Sequence, residues 1–262
     1  MRNFVDWLQS TGAPQFSRLH GGETPRVPDV LAVGELKVVY QPIVDLRFKR
    51  VFAYEALVRS SSPHFQGPPA LFSEALKSRQ LGALGRIIRE LTVEHAPACP
   101  LFVNIHPNEF DEGWLVQPDD PVFRHEHGVY LEITESVPLT HFAMCHNVLS
   151  EMRSRGAFLA VDDLGAGYSN LKYIADLSPE IVKLDRELVV NLRPGTRQHL
   201  LVRAIVRLCE ELGTKVVAEG IETEAEASAV MDTGAHYGQG YYFAKPAYPP
   251  PLAKLDVVRA AS

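Results

Sequence analysis

Asp162 and Asp163 stand side by side at the end of a short apolar run, Gly156-Ala-Phe-Leu-Ala-Val161, and a Gly-x-Gly turn at Gly165 and Gly167 follows. The run reads as a buried strand. Neighbouring side chains on an extended strand point to opposite faces, so the two carboxylates can serve two different partners. Two like charges this close stay ionised only when a cation or a proton intervenes. A plainer reading is a helix N-cap with a spare acid. The pair alone does not separate the two readings.

Further polar residues fall at corresponding places along the chain. Glu55 lies near the end of the second candidate strand, Asn104 closes the third, Glu132 the fourth and Lys183 the sixth. Glu219 follows the seventh and Gln239 opens the last. Each has a plain explanation by itself. Glu219-Gly-Ile-Glu-Thr223 suits a loop entering a helix whose first turn favours acids, Lys183 can snorkel, and Asn104 can form a turn. All of them together resist that explanation, because buried charges are costly unless paired or metal-bound. Carboxylate and amide oxygens, with no Cys or His among them, point to Mg²⁺ or Mn²⁺ rather than zinc. His125 and His127 flank Glu126 but have no third ligand at a telling spacing, and read as solvated loop residues.

The elements that must position these groups alternate. Leu36–Tyr40 and Val51–Val58 read as strands joined by a turn around residues 45–49, too short for a parallel crossover and therefore antiparallel. Further strands are expected at Leu101–Ile105, Val129–Ile133, Ala157–Val161, Ile181–Leu184, Lys215–Ala218 and Gln239–Phe243. Helices are expected at Ala70–Leu81, Leu84–His95, Thr140–Arg155, Arg197–Leu212 and Thr223–Met231, and a short one ends at Ser178-Pro179. Eight strands alternating with helices imply an α/β chain with a closed, TIM-type (β/α)8 barrel, whose strand ends converge on one mouth. The opening hairpin makes it a modified barrel with an antiparallel strand. Residues 1–33, interrupted by Pro14, Gly21-Gly22, Pro25 and Pro28, read as an N-terminal arm ahead of a barrel over 34–262. Tyr248-Pro-Pro-Pro251 reads as a terminal stiffener.

The bulk composition narrows the partners. With 262 residues, 46% of them hydrophobic, the chain can bury a sizeable core. Its formal charge of −6 and the lack of a Lys/Arg-rich run argue against binding long nucleic acid, and leave room for a small phosphate ligand. Cys99, Cys145 and Cys209 are scattered, which fits a reducing compartment. Asp6 interrupts the apolar run that a signal peptide would need, and no window reaches the length of a membrane span. A soluble, cytoplasmic protein without membrane contact is expected.

The motifs in order resemble the EAL family of bacterial cyclic di-GMP phosphodiesterases. They are Gln41-Pro-Ile-Val-Asp45, Glu55-Ala56-Leu57-Val58-Arg59, Val103-Asn104-Ile105, Leu131-Glu132-Ile133-Thr134-Glu135-Ser136, and the Asp162-Asp163 turn. Val182-Lys183-Leu184-Asp185, Ala218-Glu219-Gly220-Ile221-Glu222-Thr223 and Gln239-Gly240-Tyr241-Tyr242-Phe243-Ala244-Lys245-Pro246 complete the set, over about residues 34–247. The resemblance implies hydrolysis of cyclic di-GMP to linear pGpG by a water activated between two metals, Mg²⁺ or Mn²⁺. Glu55, Asn104, Glu132 and Asp162 would hold one ion, Asp162 would bridge to the second, and Asp163 would help to hold that one. Lys183 and Glu219 would orient or deprotonate the water. Gln41, Leu57, Arg59, Glu222, Gln239 and Pro246 would line the substrate cleft, and Glu135 would order the Asp162–Asn170 turn.

Ser60, His106, Leu164 and Asn170 depart from the commoner family residues (Trp, Ser, Phe and Ser), yet none removes a metal ligand. The alternative is a catalytically quiet cyclic di-GMP receptor acting through protein contacts, but the complete ligand set favours the enzyme. A homodimer through the region after the fifth strand is also implied, with Tyr168, Leu171, Tyr173 and Ile174 as its apolar contribution. Thirty-three residues are too few for a regulatory input domain, so control is expected from the arm, from oligomerisation or from a protein partner in trans.

Overall fold

The computed structural model describes residues 35–62, 65, 67–106, 109, 117, 119–134, 142–165 and 171–255, with the side chains of 134, 142–147 and 173 excepted. The proposed arm, Tyr168 and Glu135 lie outside the described residues. Strands β1 (Leu36–Asp45) and β2 (Arg50–Ser60) form the expected antiparallel hairpin. Asp45 shapes its turn by accepting hydrogen bonds from the backbone N–H of Arg47 and Phe48 at 3.0 and 2.9 Å.

Helices α1 (Pro68–Lys77) and α2 (Leu81–Glu94) precede β3 (Leu101–Asn104), and β4 (Val129–Thr134) follows. Then come α3 (Phe142–Ser154), β5 (Ala157–Leu164), α4 (Lys172–Leu177), β6 (Ile181–Leu184), α5 (Arg186–Val189) and α6 (Arg197–Glu211). Strand β7 (Lys215–Ala218), α7 (Glu224–Asp232) and β8 (Tyr237–Gly238) complete the order. The strands close a barrel in sequence order. β2 to β8 run parallel, and β1 is antiparallel to both its neighbours, pairing Val44 with Gly238.

One expected element is misplaced. The last strand is Tyr237–Gly238, not Gln239–Phe243. Beyond Gly238 the chain turns onto the loop after β7, where Ile221 N–H donates to the Gln239 carbonyl (3.1 Å) and Tyr242 N–H to the Ile221 carbonyl (3.0 Å). A Cβ at Gly240 would sit 2.0 Å from the Ile221 carbonyl oxygen, so only glycine permits this crossing.

The barrel interior is packed, as this architecture requires. Ile43, Ala53, Phe102, Ala160, Ile181, Val217 and Tyr237 form one buried cluster, with Phe52 and Tyr130 against it. Phe52 is the extra residue of a register shift in β2 and stacks on Tyr237 at 4.1 Å between ring centroids. A second, larger cluster joins the outer strand faces to the helices.

Candidate active site

Side chains alternate along a strand, so residues two apart share a face. Two positions towards the mouth from the apolar interior layer, every strand supplies a polar residue. Gln41 stands above Ile43, Glu55 above Ala53, Asn104 above Phe102 and Glu132 above Tyr130. Asp162 stands above Ala160, Lys183 above Ile181, Glu219 above Val217 and Gln239 above Tyr237. The common property of these groups is therefore their layer and not a strand terminus. Glu55 lies in the middle of β2, which runs on to Ser60 because β1 pairs with it along its whole length. Gln239 follows its strand instead of opening it.

Lys183 sits at the centre, with 1% of its surface exposed. Its Nζ lies 2.6 Å from Glu132 Oε1, 2.6 Å from Glu219 Oε1, 3.4 Å from Asp162 Oδ1 and 3.5 Å from Glu55 Oε2. Gln239 Nε2 donates to Glu55 Oε2 (2.6 Å) and to Gln41 Oε1 (3.3 Å), and Asn104 Nδ2 donates to Glu55 Oε1 (3.2 Å). Gln41 is itself fixed by donating to the Ala244 carbonyl at 3.1 Å. The structure thus gives Gln239 a role sequence reasoning missed: it is buried and holds a carboxylate, besides lining the cleft.

The two aspartates do not diverge as a regular strand would have them. The pairing of β5 with β6 passes from Val161↔Val182 to Leu164↔Leu184, so three steps on β5 match two on β6. This one-residue bulge puts Asp163 at φ 61°, a left-handed conformation that aspartate tolerates better than most residues. As a result, carboxylate oxygens of Asp162, Asp163 and Glu219 all lie within 4.8 Å of one another. Strict alternation would send the two carboxylates to opposite faces, and this irregularity brings them near one point instead.

Burial raises the Glu132 pKa well above the usual carboxylate range; Lys183 pulls it down, while Glu55 and Asp162 add to the rise. Burial also pushes Glu219 up to about 8 against the opposing pull of Lys183. Burial alone would lower the Lys183 pKa, but Asp162, Glu132, Glu219 and Glu55 together raise it well above that of an ordinary lysine. One ammonium among four carboxylates leaves surplus negative charge. Neither Glu132 oxygen receives a well-directed hydrogen bond, although both are buried. An all-oxygen donor set with such an oxygen pair fits hard divalent cations.

Above this layer opens a cleft of about 280 Å³. Gln41, Leu57, Glu222 and Gln239 line it, whereas Arg59 and Pro246 are not among its lining residues. Arg59 instead donates to the Val58 carbonyl at 2.8 Å. Arg186 and Tyr241 line it without having been expected. Arg186 follows the polar end of β6 and pairs with Glu222 at 2.9 Å, a position that the strand-end pattern could have revealed. The loop carrying Glu219 and Glu222 is held by Glu226, which accepts from the backbone N–H of Asn191 (2.9 Å), Glu222 (2.9 Å) and Thr223 (3.0 Å). Thr223 and Glu226 form a reciprocal capping box at the start of α7.

Of the apolar residues expected at a dimer surface, Ile174 is buried in the core and does not serve; Leu171 is exposed. His125 Nε2 lies 2.8 Å from the Cys99 carbonyl oxygen, in keeping with a loop role. Cys99 and Cys209 are free thiols. Among the described residues no helix is long and apolar enough to cross a membrane.

A (β/α)8 barrel with one antiparallel strand and an acidic mouth around a single lysine defines the class. The chain belongs to the EAL domain family, whose profile it matches over residues 26–246. It is 30% identical over 240 residues to the cyclic di-GMP phosphodiesterase RocR of Pseudomonas aeruginosa, covering 86% of this chain and 61% of that protein. It is 31% identical over 232 residues to the cyclic di-GMP phosphodiesterase PA2567 of the same species, covering 82% and 39%. The chain spans from 27% to 61% of the length of these and other curated relatives.

Among solved structures, BlrP1 of Klebsiella pneumoniae in a calcium and cyclic di-GMP complex superimposes with a TM-score of 0.71 at 30% identity, over 81% of this chain and 56% of that one. A manganese and cyclic di-GMP complex of BlrP1 superimposes equally well. The EAL enzyme Bd1971 gives a TM-score of 0.74 at 26% identity, over 84% and 64%.

Proposed function

We propose that the chain hydrolyses cyclic di-GMP to linear pGpG in this cleft, using two Mg²⁺ or Mn²⁺ ions held by Glu55, Asn104, Glu132, Asp162 and Asp163. The observation that carries this reading is the polar layer of the barrel, in which Asp162, Asp163 and Glu219 converge within 4.8 Å. Relatives and neighbours bearing the names of cyclic di-GMP phosphodiesterases and complexes support the substrate. When bound, the ions supply Lewis-acid activation of water and neutralise charge on the phosphodiester.

The chain's own groups do the remainder. Glu219, held 2.6 Å from Lys183 Nζ, would orient the attacking water or, once ionised, accept its proton. Lys183, fixed between Glu132 and Glu219, keeps those carboxylates at their separation and places a positive charge beside the reacting phosphate. Gln239 and Asn104 hold both oxygens of Glu55 in a set orientation. Gln41, Leu57, Arg186, Glu222 and Tyr241 face the substrate from the cleft wall. Arg59 and Pro246 join them on resemblance alone.

Purified protein incubated with cyclic di-GMP and either metal, with products separated by chromatography, should yield pGpG. Ligand binding without product under both metals would establish the receptor instead. The reading also includes a cytoplasmic homodimer pairing through the region around exposed Leu171, under control of the 1–33 arm or a partner in trans. Light scattering that shows only monomer at tens of micromolar, roughly the range of a modest interface, would exclude that dimer.

A further inference from the structure

Away from the cleft, one charged cluster among the described residues is buried completely. Arg89 of α2 is 0% exposed, Glu109 1% and Asp120 0%. Arg89 Nη1 donates to Glu109 Oε2 at 2.6 Å, and its Nε donates to Asp120 Oδ2 at 3.1 Å. Gly85, one turn earlier on α2, makes room for this contact, since a Cβ there would lie 2.0 Å from Glu109 Oε2. Such an arrangement is weak evidence of a stabilising role, because apolar side chains of similar volume often serve as well as a buried ion pair or triad. The carboxylate offers something apolar packing cannot. Glu109 Oε1 accepts a hydrogen bond from the backbone N–H of His106 at 3.1 Å.

That N–H lies two residues beyond Asn104. Strand β3 is four residues long and Asn104 is its last residue, exposed, with its amide reaching Glu55 Oε1. The backbone just past it is tied at Ile105, whose N–H donates to the Glu132 carbonyl (2.9 Å), and at His106 by Glu109. We propose that Arg89, Glu109 and Asp120 form a positioning device for Asn104: Arg89 and Asp120 fix the Glu109 carboxylate, and Glu109 fixes the backbone that aims the Asn104 amide. This rests on the metal-site reading above. Groups that orient a metal ligand from behind commonly change metal affinity about 10–100-fold when removed.

The test compares two charge-free replacements of the cluster in the full chain. Both carry Arg89→Met and Asp120→Asn; one adds Glu109→Gln, which keeps an acceptor oxygen, and the other Glu109→Met, which does not. Mn²⁺ affinity is read by electron paramagnetic resonance of free Mn²⁺, and amide exchange at His106 is read on metal-free protein. The Gln version should bind Mn²⁺ within about threefold of the parent. The Met version should bind about tenfold or more weakly and exchange the His106 amide faster. If the Met version does not fold, Gly85→Ala, which displaces the Glu109 carboxylate but leaves every charge in place, should weaken Mn²⁺ binding in the same direction. Equal Mn²⁺ affinity in the two versions, or no loss in Gly85→Ala, overturns the proposal. A parent that binds no Mn²⁺ removes the metal-site reading itself, and the positioning role falls with it.

Discussion

Lys183→Met tests the electrostatic logic of the barrel most directly. The substitution keeps most of the side-chain volume and removes the one cation among Glu55, Glu132, Asp162 and Glu219, two of whose oxygens lie 2.6 Å from its Nζ. Removing one partner of a buried ion pair costs about 3–5 kcal/mol. For a domain of this size each kcal/mol moves the melting temperature by about 2–4 °C, so a drop of roughly 6–20 °C is expected in metal-free protein at pH 8.5.

The pH dependence has a definite sign. Glu132 and Glu219 have raised folded-state pKa values, so what they contribute to stability is present at low pH and is lost as pH rises through those values. For Glu219 that window runs from the ordinary 4.5 to about 8 in the parent. Loss of the lysine's opposing pull extends it upwards in the variant. The deficit should therefore be small at pH 5.5, where protons replace the ammonium, and large at pH 8.5. Mn²⁺ should raise the melting temperature of the variant more than that of the parent. Calorimetry at both pH values, with chelator and with Mn²⁺, reads all of this. A deficit under about 2 °C at pH 8.5, or one equal at the two pH values, would refute the reasoning.

Three further substitutions test the metal-site reading. Glu55→Ala should abolish turnover while the protein stays folded, because it removes a carboxylate proposed as a metal ligand and also relieves crowding; near-normal activity in folded protein would remove Glu55 from the proposed ligand set. Gln239→Leu should weaken Mn²⁺ binding by about tenfold, since it takes away the 2.6 Å donor to Glu55; unchanged affinity by titration would limit Gln239 to lining the cleft. Glu135→Ala, in a segment outside the described residues, should lower activity sharply, with part of the rate restored at high metal concentration by mass action. Full activity at low metal would make Glu135 a surface acid only.

The strand and helix periods made the barrel legible, and the convergence of polar groups followed from the rule that strand ends meet at one mouth. The residues missed share a different physical origin. The sequence rhythm carries β2 only to Val58, and its continuation to Ser60 depends on its antiparallel partner and not on its own composition. It cannot show the β5 bulge either, since the extra residue between Val161 and Leu164 is a matter of register against β6. Yet that bulge turns two neighbouring aspartates towards one point, which alternation alone forbids. Glu109 was silent for the same reason: its partners Arg89 and Asp120 lie 20 residues before it and 11 after it, and only the packing of α2 against the turn before β4 brings them together. Chemistry was readable where a single strand carried it, and unreadable where two elements had to meet. The groups that point the Asn104 amide and the Asp162–Asp163 pair are of the second kind, so their effects should be sought in metal affinity and not in the loss of the fold.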